Sequence, residues 1–229
     1  MKKVAFIFGF LCCLFIIDSC EIDNYQAPDA QIYGGIYDSQ TNELIQQDII
    51  NGALIEYKEL GWENGQFQYM TFKQDGTYRN NLMFAADYTI RPASGNFVVP
   101  EVQNITVEGE TKVDFFVQPF LRVKECSIVK TGNEVIASFK LEQTLEGSVS
   151  SVTLFASKEP SLGASYYQAN AVVNVSAPAD PETLYTVKIN LDNVNTVLIP
   201  GEMYYFRAGA LFNSPGAKYN YAPAVRIGI

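Results

Sequence analysis

Apolar residues in this chain recur at every second position over short runs, and turn residues interrupt those runs every few positions. That pattern constrains the fold most strongly. Successive side chains of a strand point to opposite faces, so a half-buried strand must alternate. Gln31-Ile32-Tyr33-Gly34-Gly35-Ile36-Tyr37-Asp38 reads as such a strand, with Ile32 and Ile36 on one face. Further strands are expected over Ala53–Lys58, Phe67–Phe72, Thr77–Arg79, Tyr88–Ile90, Asn104–Val107 and Lys112–Val117. Asn51-Gly52 and Asp75-Gly76 mark turns between them, and Gly61-Trp62-Glu63-Asn64-Gly65 reads as a hairpin connection in which Asn64-Gly65 supplies positive φ. Gly34-Gly35 lacks a phosphate-cradling pattern and reads as a bulge or a close-packing site.

The pattern then continues over Leu121–Lys124, Glu134–Leu141, Val149–Ala156, Tyr185–Leu191, Met203–Ala210 and Ala224–Ile227. No long stretch repeats apolar residues at helical spacing, and strand-formers are abundant, with 14 Tyr and 15 Phe. At 229 residues the chain is too long for one ordinary sandwich and suits two. The expected fold is all-β, with two consecutive β-sandwich domains over 29–119 and 120–229 and a short hinge at Pro119-Phe120.

The first residues carry a separate message. Met1-Lys2-Lys3 precedes an apolar run of 14 residues, Val4 to Ile17. That length matches the core of a signal peptide and falls short of the roughly 20 residues a membrane-spanning helix needs. Ser19 then precedes Cys20, the order a lipoprotein signal peptidase reads before a lipid is attached to the thiol, although Asp18 departs from the usual small residue. The expectation is a signal peptide over 1–19, lipidation at Cys20 and an acidic tether over 20–28. The alternative is an ordinary cleaved signal with Cys20 a bystander, which would leave an exported protein with two odd thiols, Cys20 and Cys126. Cys126 has no histidine to activate it and reads as a small buried hydrophobe.

Charge and composition exclude several functions. Removing 1–19 takes away Lys2, Lys3 and Asp18 and leaves 14 basic and 24 acidic side chains, a balance of −10. Such a surface repels phosphate backbones and anionic headgroups, so nucleic acid is not a partner and membrane contact is left to the lipid. The chain has no histidine, which removes Ser-His-Asp and Cys-His catalysis and histidine metal ligation. Glu56, Glu59, Glu63, Asp75, Asp87, Glu142 and Glu146 show no spacing that implies a facing pair of the kind glycosidases use. No calcium loop and no cofactor motif is present, so no metal, cofactor or catalytic residue is assigned.

Aromatic residues remain as the candidate chemistry. Sugar rings stack their C–H faces on Trp and Tyr while amides and carboxylates take the hydroxyls. Trp62 sits beside Glu63 and Asn64 in the hairpin connection, Tyr166-Tyr167 lie beside Gln168 and Asn170, and Tyr219-Asn220-Tyr221 fall in the last loop. Trp62, Tyr166, Tyr167, Tyr219 and Tyr221 are therefore the candidate ligand contacts. Each has the alternative of folding back onto its own sheet.

Two stretches are familiar. Gly35-Ile36-Tyr37-Asp38 with Thr41-Asn42-Glu43-Leu44-Ile45, then Phe72-Lys73-Gln74-Asp75-Gly76-Thr77-Tyr78 and Ala86-Asp87-Tyr88-Thr89-Ile90, resemble the transthyretin-like, carboxypeptidase-regulatory-like domain. Asn42 and Ala86 stand where that family has glycine. The Tyr-rich strand after Pro200-Gly201 and Tyr219-Asn220-Tyr221-Ala222-Pro223 before the last strand resemble immunoglobulin- and fibronectin-III-like domains. With Cys20, Asp23-Asn24-Tyr25 and Ala27-Pro28, the whole chain resembles a family of Bacteroidota lipoproteins built on domains of unknown function. The resemblance implies an anchor in the outer membrane and association with polysaccharide-uptake proteins, and the acidic tether suggests display on the cell surface. The leading expectation is a non-catalytic envelope lipoprotein that binds polysaccharide or oligosaccharide, or assists an uptake system. The alternative is a spacer or docking module for another envelope protein, and an enzyme ranks below both.

Overall fold

The computed structural model describes residues 26–193 and 197–229. The signal peptide expected over 1–19, Cys20 and most of the tether expected over 20–28 lie outside the described residues. All regular structure among the described residues is β-strand.

The first sandwich contains β1 (Ala30–Asp38), β2 (Leu54–Glu59), β3 (Gln68–Thr71), β4 (Thr77–Met83), β5 (Ala86–Ser94), β6 (Gln103–Val107), β7 (Glu110–Lys112) and β8 (Phe115–Val117). One sheet has the order β4-β1-β7, with β8 also pairing β1, and the other runs β3-β2-β5-β6. Alternate residues Ile32, Ile55, Tyr57, Tyr78, Tyr88 and Ile90 fill the core between them with Phe72 and Phe115.

The strand expected over Lys112–Val117 is two. β7 and β8 run parallel to β1, and the chain between them passes Gly34. A Cβ built on Gly34 would lie 1.9 Å from the Val113 carbonyl oxygen. Tyr78 Oη donates to that oxygen at 2.7 Å, and the Asp114 carboxylate accepts from Gly35 N at 3.1 Å. The double glycine is thus a close-packing site. Asn42 adopts φ 58°, the left-handed conformation that asparagine tolerates, at the position where the resembling family has glycine. The turn after β2 takes its positive φ at Gly61, not at Asn64-Gly65.

The second sandwich contains β9 (Leu121–Thr131), β10 (Glu134–Gln143), β11 (Val149–Ser157), β12 (Ala169–Ala177), β13 (Tyr185–Asn190), β14 (Met203–Phe212), β15 (Tyr219–Tyr221) and β16 (Val225–Gly228). A β13-β10-β9 sheet faces a β12-β11-β14 sheet, whose far edge is shared by β15 and β16. This is the immunoglobulin- and fibronectin-III-like arrangement. Phe139, Leu154, Tyr204 and Phe206 lie at its centre. Cys126 packs against this core unpaired, and burial pushes its thiol up to about 11. Two strands went unread in the sequence. β12 mixes Ala, Asn and Val without clear alternation, and Tyr219-Asn220-Tyr221 is a strand paired to β14, not a loop.

Candidate functional site

The register of the first sandwich puts Asp38, Leu54, Thr71, Thr77, Ser94 and Val117 at one end, and the loops leaving that end meet the second sandwich. Arg207 of β14 crosses the junction and is fully buried. Its guanidinium donates to the carbonyls of Gln47 at 2.9 Å, Leu162 at 3.0 Å and Ala222 at 3.2 Å. Longer contacts reach Gln74 O at 3.3 Å and Gln46 Oε1 at 3.4 Å, and the group lies 4.0 Å over the Tyr221 ring. Burial pushes Arg207 down to about 10, so it remains charged at neutral pH.

Three further polar links close the junction. Arg122 forks onto Asp38, with Nη2 donating at 3.0 Å, and also pairs Glu142. Asn96 donates to Tyr219 O at 2.9 Å while Asn220 donates to Asn96 O at 3.0 Å. Asp48 accepts from Ile50 N at 2.9 Å and Asn51 N at 3.2 Å in its own domain, and from Ser165 N at 3.1 Å in the other. Burial would raise Asp48, but these N–H donors outweigh it and hold the carboxyl below its usual value. The short hinge expected at Pro119-Phe120 sits inside a bonded interface, where Phe120 N donates to Asn96 O at 2.9 Å.

Beside this junction lies a cleft of about 160 Å³ lined by Asp48, Asn51, Ser165, Lys218, Tyr219 and Tyr221 among others. Lys218 Nζ donates to Asn51 Oδ1 at 2.6 Å, which holds the ammonium in place and leaves it further donors. The Tyr219 hydroxyl stands 3.2 Å from Thr153 Oγ1 and 3.4 Å from Ser151 Oγ, a small cluster of hydroxyls. The Tyr219 and Tyr221 rings, stacked at 5.7 Å between centroids, form one wall, and buried Phe155 packs behind them at 5.5 and 6.1 Å. Asp48 already accepts at both oxygens, so it orders the cleft and is not a free base. The chemistry on offer is hydrogen bonding beside an aromatic wall, which suits a hydroxyl-rich ligand.

The structure groups three of the five expected aromatics, Tyr167, Tyr219 and Tyr221, around Phe155, and of these Tyr219 and Tyr221 line the cleft. Tyr166 and Tyr167 are each 43% exposed and follow Ser165 in the chain, and Tyr219 is half-buried. Tyr221 departs from the expectation of an open loop residue. Only 7% exposed, it stacks under Arg207 and donates its hydroxyl toward Asp48, so it supports the cleft from beneath. Trp62 lies at the opposite end of the first sandwich, 65% exposed, with Nε1 donating to Glu59 at 2.7 Å in an open groove with Glu63, Asn64 and Gln68. Asp48, Asn51, Lys218 and Arg207 went unread, because no local spacing marks residues that meet only across the junction.

The carboxylates considered above are engaged or dispersed. Glu56 pairs Arg91, Glu59 holds Trp62, Asp87 accepts from Thr106 and Glu142 pairs Arg122. Among the described residues no group of three or more Cys, Asp or Glu could hold a metal ion.

Residues 30–118 match the family model "Protein of unknown function (DUF3823) N-terminal domain", and residues 121–226 match "Domain of unknown function (DUF3823_C)". Among solved structures, a Bacteroides uniformis protein described as a "putative carbohydrate binding protein" is 37% identical, with a TM-score of 0.79 over 88% of this chain and 100% of that one. DUF3823 family proteins from Parabacteroides merdae and Bacteroides uniformis share the fold at 21% and 19% identity, with TM-scores of 0.77 and 0.75 and the same coverage. No curated protein matches the chain.

Proposed function

Because the chain belongs to the DUF3823 family through both its N-terminal and its C-terminal domain, we propose that it is a non-catalytic envelope lipoprotein that binds glycan at the junction cleft. The observation that carries this reading is the cleft itself. Lys218, Asn51 and Ser165 line it beside the Tyr219 and Tyr221 rings, and the Lys218–Asn51 and Ser165–Asp48 hydrogen bonds hold them in place before any ligand arrives. Preformed sites of this kind lose little ordering entropy on binding. The 37% identical relative supports a carbohydrate as the ligand class. Cys20 would carry the lipid and the acidic tether would hold the protein at the outer membrane, facing the cell surface beside a polysaccharide-uptake system.

The test is a gel-retardation screen of the soluble fragment Glu21–Ile229 against plant, host and microbial polysaccharides. Retardation by one class supports the reading and names the ligand. A uniform lack of retardation would reject it.

One observation favours a second reading, that of a docking module. β12 is an uncharged nine-residue strand at the edge of its sheet, with Val172 and Val173 exposed. Uncharged free edges accept strands from partners. A stable complex recovered from detergent-solubilised membranes would support it, and purification as a lone monomer would count against it.

A further inference from the structure

Large apolar side chains are exposed at the end of the first sandwich farthest from the junction. Leu82 is 74% exposed, Trp62 65% and Phe84 43%. Strand register places all three there, because Ala30 pairs Met83 and Glu59 pairs Tyr88 at that end. Hydrogen bonds join the loops: Trp62 Nε1 to Glu59, Leu60 N to Asp87 O at 2.8 Å, and Tyr88 Oη to Phe84 O at 3.0 Å. The N-terminal segment enters at the same place, where Asp29 accepts from Ala85 N at 2.9 Å.

From these observations we infer that this end of the first sandwich lies on the lipid surface, with Leu82 and Phe84 at the acyl boundary and Trp62 at headgroup level. The inference rests on the reading that Cys20 carries a lipid. Cys20 is nine residues before Asp29. A fully extended chain of that length spans at most about 30 Å. A lipid on Cys20 therefore keeps this end close to the bilayer, where even weak apolar contacts are favoured by the high effective concentration of the surface. Tryptophan, with an apolar body and one N–H donor, suits the headgroup region, while leucine and phenylalanine suit the apolar layer below it.

Charge selects the kind of surface. Asp29, Glu59, Glu63, Asp87, Glu108 and Glu110 surround the same end, with Lys58 and Arg79 as counter-charges. An anionic surface would repel this rim, so the contact fits zwitterionic headgroups. β1 runs from this end to the junction, and its nine residues hold the cleft roughly 26 Å farther out. Trp62 thus belongs to the membrane side and the tyrosine cleft to the glycan side.

Trp62 is the sole tryptophan of the chain, so its fluorescence reports this end alone. The experiment reconstitutes the full processed chain, with the mass of the Cys20 peptide measured for attached lipid. Vesicles of phosphatidylcholine with brominated acyl chains are compared with unbrominated ones. The expected result is strong quenching of Trp62 in the brominated vesicles and a blue-shifted emission, both reduced in a Leu82→Asp, Phe84→Asp variant that keeps its lipid. Unquenched Trp62 on a chain whose Cys20 is lipidated would overturn the contact and leave the anchor standing. A Cys20 peptide without lipid would remove the anchor and the contact with it. Loss of polysaccharide retardation in Trp62→Ala, in the soluble fragment, would also overturn the assignment by giving this end to the glycan.

Discussion

Replacing Arg207 with Met should uncouple the two sandwiches. Three of the guanidinium's hydrogen bonds are 3.2 Å or shorter, and two of them, to Leu162 and Ala222, stay within the second sandwich while the one to Gln47 crosses the junction. Hydrogen bonds from a charged donor contribute about 1.5–3 kcal/mol each, a gross contribution of roughly 5–9 kcal/mol here. Burying the ion costs several kcal/mol, so the net destabilisation expected is about 3–5 kcal/mol, the scale seen when a buried charge network is broken. With a urea slope near ~3 kcal/mol/M, that lowers the unfolding midpoint by about 1–2 M. The assay follows urea unfolding of Glu21–Ile229 by two probes. Trp62 reports the first sandwich and far-UV circular dichroism reports both. The wild-type curves should coincide, as for a single cooperative unit, and separate in Arg207→Met. Coincident curves with an unchanged midpoint in the variant would refute the view that this residue binds the domains into one body.

The remaining predictions concern other parts of the same framework. Acid should loosen the junction. Burial raises Asp38, but Arg122 and the Gln40 and Thr41 N–H groups outweigh it, and Asp48 is likewise held below 3.8. Carboxyls depressed in the folded state stabilise it above the unfolded value, and that contribution is lost as pH falls through the folded value. The midpoint should therefore hold from neutrality to about pH 4 and fall below it, and Asp48→Asn should flatten that fall; an identical acid limb in the variant would remove Asp48 from the account. Gly34→Ala should destabilise by about 2 kcal/mol or more, because its Cβ meets the Val113 carbonyl at 1.9 Å; an unchanged melting temperature would show that β7 and β8 shift at no cost. The Cys126 thiol, pushed up to about 11, should react slowly with a disulfide reagent at pH 8 in the folded fragment and rapidly in urea; equal rates would contradict its packing against the core.

The fold was legible in the sequence because its signals are local. Alternation at Ile32 and Ile36, or along Glu134–Leu141, records which face is buried, and the turn at Asp75-Gly76 needs its glycine at φ 87°. β12 was missed because an edge strand with exposed residues on both faces has little reason to alternate. The run Lys112–Val117 alternates like one strand, but the close approach of Val113 to Gly34, 79 positions away, divides it into two. The candidate site divided along the same line. Aromatic content pointed to the tyrosines, but their grouping around Phe155 depends on how β11 and β15 flank β14. Arg207 reads in sequence as one charge in an otherwise apolar strand, and its acceptors lie up to 161 positions away. Nothing nearby in the chain announces such a partner set.

The central claim is that the junction cleft binds glycan, and its most direct measurement is retardation by the polysaccharide found in the screen, with wild type, Asn51→Ala and Lys218→Ala run side by side. Both variants are expected to lose most of the retardation while unfolding at nearly the wild-type midpoint. Retardation unchanged in both would contradict it and take the ligand elsewhere on the protein.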